Sequence, residues 1–232
     1  MIKSVLKPAL AAGIALAAFA TPAAAQVNGV ATFRPALVIA LSAARQAAYQ
    51  AIATQYAAQI TQLEQIGTQR STLLRSLDTN GNGQFEELDT NGDGNLDETE
   101  QSANPTLVQV GTLDQQLSQL QTPIQLAQIY AISQIAEQSG TATQEVITAR
   151  GVQVLLSPDA IVYGVEGVDI SEQVVTSLNT RTPTVTTAVP AGWQPDEGTV
   201  SLYQQVQQML QALAARQQAG AAAPAAGAVP PR

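Results

Sequence analysis

The chain has 232 residues, 4% of them aromatic and 12% charged, with no histidine and no cysteine. That composition excludes Ser-His-Asp and Cys-His catalysis, His-ligated zinc and disulfide stapling, so an enzyme is not expected. The formal net charge is −8, which disfavours nucleic acid as a partner.

Residues 1–25 read as a secretory signal peptide. Lys3 and Lys7 precede an apolar run from Ala9 to Ala20, and Ala23-Ala24-Ala25 offers a cleavage site before Gln26. The run is too short and too rich in alanine to span a bilayer core of ~30 Å. No later segment reads as an integral membrane span. The mature protein is therefore expected to be exported, and periplasmic in a Gram-negative cell. Cleavage removes both lysines and leaves eight arginines against eighteen acids. Eight of those acids lie between Asp78 and Glu100, so the acidity marks one place rather than the whole surface. The remainder is dominated by Ala, Leu, Val, Ile and Gln, the residues that long paired helices use.

Val27–Phe33 is a candidate first strand, and Pro35 is placed to begin a helix. Tyr49, Ile52, Tyr56, Ile60, Leu63, Ile66, Leu74 and Leu77 then recur mostly at three- and four-residue steps. This is the stripe of one long amphipathic helix from Leu37 to Leu77.

Residues 78–100, DTNGNGQFEELDTNGDGNLDETE, interrupt that stripe. The second half fits the EF-hand calcium pattern D-x-[DN]-x-[DN]-G-x5-E. Asp89, Asn91 and Asp93 stand at the first, third and fifth positions, Gly94 at the sixth, Asn95 at the seventh, Asp97 at the ninth and Glu100 at the twelfth. A hard Ca²⁺ takes about 6–8 oxygens, and this spacing aims every second residue inward, with the twelfth able to give two oxygens. The same pattern begins eleven residues earlier with Asp78, Asn80, Asn82, Gly83 and Gln84, and its twelfth position is again Asp89. Two loops sharing one residue leave no room for a helix between them. Either Asp89 bridges two ions, or the second loop binds and the first binds weakly or not at all.

Asn104-Pro105 is a helix start, with Asn as cap and Pro in the first turn. Val110, Leu113, Leu117, Leu120 and Ile124 keep the 3-4 spacing of a coiled-coil seam. Thr122-Pro123 implies a kink or a restart, and Ile129, Ile132 and Ile135 carry the stripe on. The two striped segments have matching lengths, each about 40 Å as helix. They are expected to form an antiparallel hairpin over residues 49–135 with the calcium loops at its tip. Beyond it, Val152–Leu156 and Ala160–Tyr163 read as a β-hairpin around Ser157-Pro158-Asp159. Asp169 is placed to cap a helix from Ile170 to Leu178. Residues 182–197 are expected to be extended, Val200–Arg216 to form an amphipathic helix on Leu202, Val206, Met209 and Leu213, and residues 219–232 to be a disordered Ala/Pro tail.

The order of signal peptide, short strand, long helical hairpin, β-hairpin and short helix resembles the OmpH/Skp family of periplasmic chaperones. The closest match is VQVLLSPDAIVYGVEGVDISEQVVTSLN, residues 152–179. It is similar to that family's C-terminal signature, a strand and turn, then "AxxY" at Ala160 to Tyr163, then "DIS" at Asp169-Ile170-Ser171 opening the last helix. The resemblance covers roughly residues 26–180. It implies a mainly helical subunit whose hairpin arm stands on a small β-barrel body, built from residues 26–48 and 136–181. It further implies a homotrimer whose arms enclose unfolded outer-membrane proteins. The chain departs from the family in having no lysine after cleavage, in the calcium-type insert, and in the extension from Thr182 onward. A calcium sensor or buffer, or a structural coiled-coil envelope protein, is the alternative reading.

Overall fold

The computed structural model describes residues 29–78, 81, 88–89, 91–92, 97–161, 163 and 167–222. The expected signal peptide, residues 1–25, lies outside them, as do residues 223–232 of the expected tail.

β1 (Val30–Thr32) leaves a turn in which Gly29 adopts φ 80, a left-handed value that glycine takes without strain. The Gly29 carbonyl accepts from the N–H groups of Gln153 and Val154, at 2.8 and 2.7 Å. This starts the parallel pairing of β1 with β2 (Val154–Leu156), in the register Val30 with Val154 and Thr32 with Leu156. On the other side of β1, Thr32 N–H donates to the Val168 carbonyl at 2.8 Å and its carbonyl accepts from Ile170 N–H at 3.0 Å. β1 is thus held from both sides.

α1 (Pro35–Leu41) starts at Pro35, as the sequence predicts, and its Val38, Ile39 and Ala40 are buried. The single long helix expected from Leu37 to Leu77 is instead three. Ser42, in extended geometry, ends α1 and caps α2 (Ala43–Gln55): its hydroxyl donates to the Ile39 carbonyl at 2.9 Å and accepts from Arg45 N–H at 3.2 Å. A serine that satisfies the chain on both sides of a break competes with the continuous helix. α1 and α2 meet at 57°. Tyr56, at φ −106 and ψ 20, separates α2 from α3 (Ala57–Leu77).

α4 (Glu98–Ala103) leads to α5 (Pro105–Arg150), whose 46 residues make about 69 Å of helix. Asn104 caps α5 as expected: its side-chain oxygen accepts from Thr106 and Leu107 N–H at 2.9 and 3.3 Å. α5 does not restart at Pro123; it runs through it. Pro123 removes one N–H from the helix's hydrogen-bond ladder at that point. α5 ends at Gly151 in the left-handed conformation.

The β-hairpin expected after α5 is not formed among the described residues. β2 pairs with β1, and Pro158–Ala160 is a 3₁₀ turn in which Ala160 and Ile161 N–H donate back to Ser157 and Pro158. Pro158 pre-sets the turn's φ and withholds a donor, so the chain coils instead of returning as a strand. Val162 of the expected return strand lies outside the described residues. Among the described residues the chain forms a two-stranded sheet. α6 (Ser171–Arg181) follows, starting one residue later than expected. Residues 182–196 carry no regular structure, and α7 (Glu197–Ala222) is longer than predicted, reaching four residues into the segment expected to be unstructured. Those residues are Gly and Ala, and alanine is the best helix former.

The core lies where α1, α6, α7 and the second half of α5 meet. Ile39, Ile132, Ile135, Ile170, Val174, Leu178 and Val206 are each at most 1% exposed. Among the described residues no single helix is long and apolar enough to cross a membrane.

Candidate functional site

Two features stand out by their chemistry, an arm that leaves this core and the loop at its far end. α3 and the first half of α5 form the arm as an antiparallel pair, cross-linked by an ion pair between Arg70 and Asp114. The predicted seam is real. Val110 and Leu113 are 6% and 7% exposed, while α3 buries no residue, and Leu63, Ile66, Leu74, Leu117 and Leu120 are half-buried. Away from Val110 and Leu113 the seam stays half open, because each helix of the pair has only one neighbour to pack against. Between them opens a groove of about 440 Å³, with Ile66 and Leu120 in its floor and Gln62, Gln65, Gln69, Gln116 and Gln119 along its walls. The arm thus offers apolar surface and neutral amides. Its half-exposed aliphatics were legible as a stripe; the glutamine walls were not, because which polar residues face each other depends on the register of the two helices.

Of the ten predicted calcium ligands, the structure describes Asp78, Asp89, Asn91, Asp97 and Glu100; Asn80, Asn82, Gln84, Asp93 and Asn95 lie outside the described residues. Those of the second loop that are described come together. Glu100 is 7% exposed. One of its carboxylate oxygens accepts from Asn91 N–H at 3.0 Å and the other from Asp97 N–H at 3.2 Å. Asp97 accepts from Glu100 N–H at 2.9 Å, which completes a capping box at the start of α4. It also accepts from the Asn91 side-chain amide at 3.3 Å. Asp89 accepts from Gly92 N–H at 2.7 Å, turning the chain at the loop's entrance. Positions three, nine and twelve of the motif are therefore drawn into one hydrogen-bonded knot, with the twelfth turned inward. Asp78, the predicted first ligand of the first loop, ends α3. Carboxylate and amide oxygens are the hard donors that Ca²⁺ takes, but among the described residues no group of three or more acidic side chains stands close enough to hold a metal ion, and both Glu100 oxygens are engaged by backbone N–H groups.

At the opposite end, the Asp169-Ile170-Ser171 motif joins sheet to core. Arg34 forms an ion pair with Asp169, the Ser171 hydroxyl accepts from Arg34 N–H at 3.0 Å, and Asp169 accepts from Ser171 N–H at 2.9 Å. Asp169 thus caps α6 from two residues ahead. Burial raises its pKa, but the hydrogen bonds from Ser171 and Arg34 outweigh this and hold it below the ordinary carboxylate value. Ile170 is 1% exposed in the core. The motif is a structural joint.

The model of the family Outer membrane protein (OmpH-like) matches residues 30–178, well over half of the chain. Among solved structures the chain is similar to a candidate outer membrane chaperone (OmpH-like) from Caulobacter crescentus CB15. The identity is 20%, covering 80% of this chain and 94% of that one, with a TM-score of 0.40, a likeness too low to carry an argument. No curated protein matches.

Proposed function

This chain belongs to the OmpH-like outer membrane protein family, and from that premise we propose that it is a periplasmic holdase for unfolded outer-membrane proteins. The observation that carries the reading is the half-covered arm. A holdase needs apolar, adaptable contacts that hold a client without folding it, and a seam that two helices leave open supplies them. The glutamine walls add hydrogen-bonding groups without charge, which suits an arm that has no lysine. Weak contacts gain strength when several tethered arms act at high effective concentration.

We read the working assembly as a homotrimer whose β strands close a small shared barrel. What supports this is the outer edge of β2, where Val154 and Leu155 are 47% and 38% exposed, since an apolar strand edge invites pairing. At the tip, Asp89, Asn91, Asp93, Asn95, Asp97 and Glu100 would hold Ca²⁺, with Asp78, Asn80, Asn82 and Gln84 as a second, overlapping set. Bound Ca²⁺ would offset the mutual repulsion of the eight acids between Asp78 and Glu100. Glu100 already ties the loop to the start of α4, so it would couple the loop to the arm. Exported calcium modules bind at about 10⁻⁴–10⁻³ M, which makes a structural clip the better description than a signal.

The test is to measure the oligomeric mass of the mature chain and its suppression of aggregation of an unfolded outer-membrane β-barrel protein, in calcium and in chelator. A trimer that suppresses aggregation in stoichiometric amounts is expected. A monomer without suppression sinks the reading, and identical behaviour of tip and arm with and without calcium sinks the clip.

A further inference from the structure

Residues beyond 181 lie outside the span that the family model matches, yet they pack tightly onto it. α7 seats Val206 in the core at 0% exposure. The segment before it contains Pro183, Pro190 and Pro195 within fifteen residues, 182–196, which makes it a semi-rigid strap. What matters is where strap and helix land.

Gln134 donates to the Thr186 carbonyl at 2.9 Å, and the Thr187 hydroxyl donates to Gln55 at 3.1 Å. Trp193 meets Tyr130 edge-on, with centroids 4.9 Å apart at 67°. Tyr203 donates to Gln128 at 2.8 Å, and Gln207 donates to the Tyr49 hydroxyl at 3.0 Å. Every partner lies within residues 49–55 of α2 or 128–134 of α5. The register set by the Arg70–Asp114 pair puts Tyr56, the break between α2 and α3, about level with Gln128 in an antiparallel pair. A second weak point lies just beyond, where Pro123 withholds an N–H from α5. Both helices of the arm are therefore defective close to one level, and the extension crosses the arm's root at that level. Gly192, at φ 76, makes the turn that closes Trp193 N–H onto the Pro190 carbonyl at 3.1 Å and so aims the ring at Tyr130.

We propose that the C-terminal extension is a splint that fixes the angle of the arm to the body, with Trp193 and Tyr203 as its positioning residues. The flexion point is the Tyr56/Pro123 level, and the strap restrains it from the body side. On the holdase reading, which the consequence rests on but the geometry does not, the splint limits how far the arms spread around a client.

The absence of cysteine and the presence of one tryptophan make the test clean. Spin labels at Gln116→Cys on the arm and Glu172→Cys on α6 report arm-to-body distance in the full-length mature chain, diluted with unlabelled chain so that distances are intramolecular. Trp193→Ala with Thr187→Ala should at least double the width of the distance distribution while the melting temperature changes little. Val206→Ala should lower the melting temperature and leave the width alone. A chain ending after Arg181 should give the broadest distribution. An unchanged width in the Trp193→Ala, Thr187→Ala chain overturns the proposal whether or not the truncated chain folds, and so does a width that changes only in step with melting temperature. Loss of aggregation suppression with distances unchanged would count against the holdase reading alone.

Discussion

α5 passes through two environments in one unbroken helix. In the body, Ala131, Ile132 and Ile135 are fully buried against α1, α6 and α7; in the arm, the same 3-4 pattern at Leu117 and Leu120 meets only α3 and stays half open. Apolar side chains on one helical stripe thus do different work. In the body they close a core, and in the arm they leave surface to spare. Burial depends on how many neighbours a helix has, and the stripe itself says nothing about that number.

The comparison can be broken by mutation. Ile135→Ala should destabilise the whole chain by about 2–5 kcal/mol, as truncation at a closed core position does. Leu117→Ala should cost about 1 kcal/mol, because a half-covered side chain has less apolar area to lose and water can fill the gap. Global chemical unfolding of the two variants measures both values. Equal losses would mean that the arm is as closed as the body.

On the calcium-clip proposal, the ion would sharpen the contrast at the tip. At a concentration ten times its dissociation constant, amide hydrogen exchange around Glu100 and in the first turns of α5 should slow about tenfold. Exchange in the body, at Ile132 and Ile135, should not change. Equal protection everywhere would mean that calcium acts on assembly and not on the tip.

Smaller effects belong to the body's joints. Asp169→Asn removes the Arg34 ion pair and should cost no more than about 1 kcal/mol, since both partners are partly exposed. Because the pKa of Asp169 is lowered in the folded chain, its contribution is present at neutral pH. It should fade as pH falls below the unfolded value of about 3.9. Acid titration of the melting temperature, with and without the substitution, checks this. At the arm's root, burial pushes the Tyr49 hydroxyl up to about 12 from its ordinary 10.0. A raised folded pKa means that stability is intact below pH 10 and declines as pH rises from there towards 12. Tyr49→Phe should flatten part of that alkaline decline.

Much of this was legible from local chemistry. Pro35 and Asn104-Pro105 start helices because a proline in the first turn and an asparagine cap are set by neighbouring atoms alone. The arm's seam was legible for the same reason, since a helix repeats every 3.6 residues wherever it is. The signature at residues 152–179 pointed to the family that the match over 30–178 establishes. What misled was local as well. Ser157-Pro158-Asp159 has the composition of a hairpin turn, and only the availability of β1 decided that β2 would pair with it instead.

By itself, then, the sequence determined where most of the helices lie, that an oxygen-rich stretch separates the two arm segments, and which family the chain belongs to; the run of α5 on to Arg150 it did not show. What it determined follows from contacts a few residues apart. The tertiary structure alone decided that β1 and β2 run parallel across more than a hundred residues, that the first long helix breaks at Ser42 and Tyr56, and that the extension returns to brace the arm's root. Each of these joins groups distant in the chain, and the stability of such a contact depends on everything else already being in place.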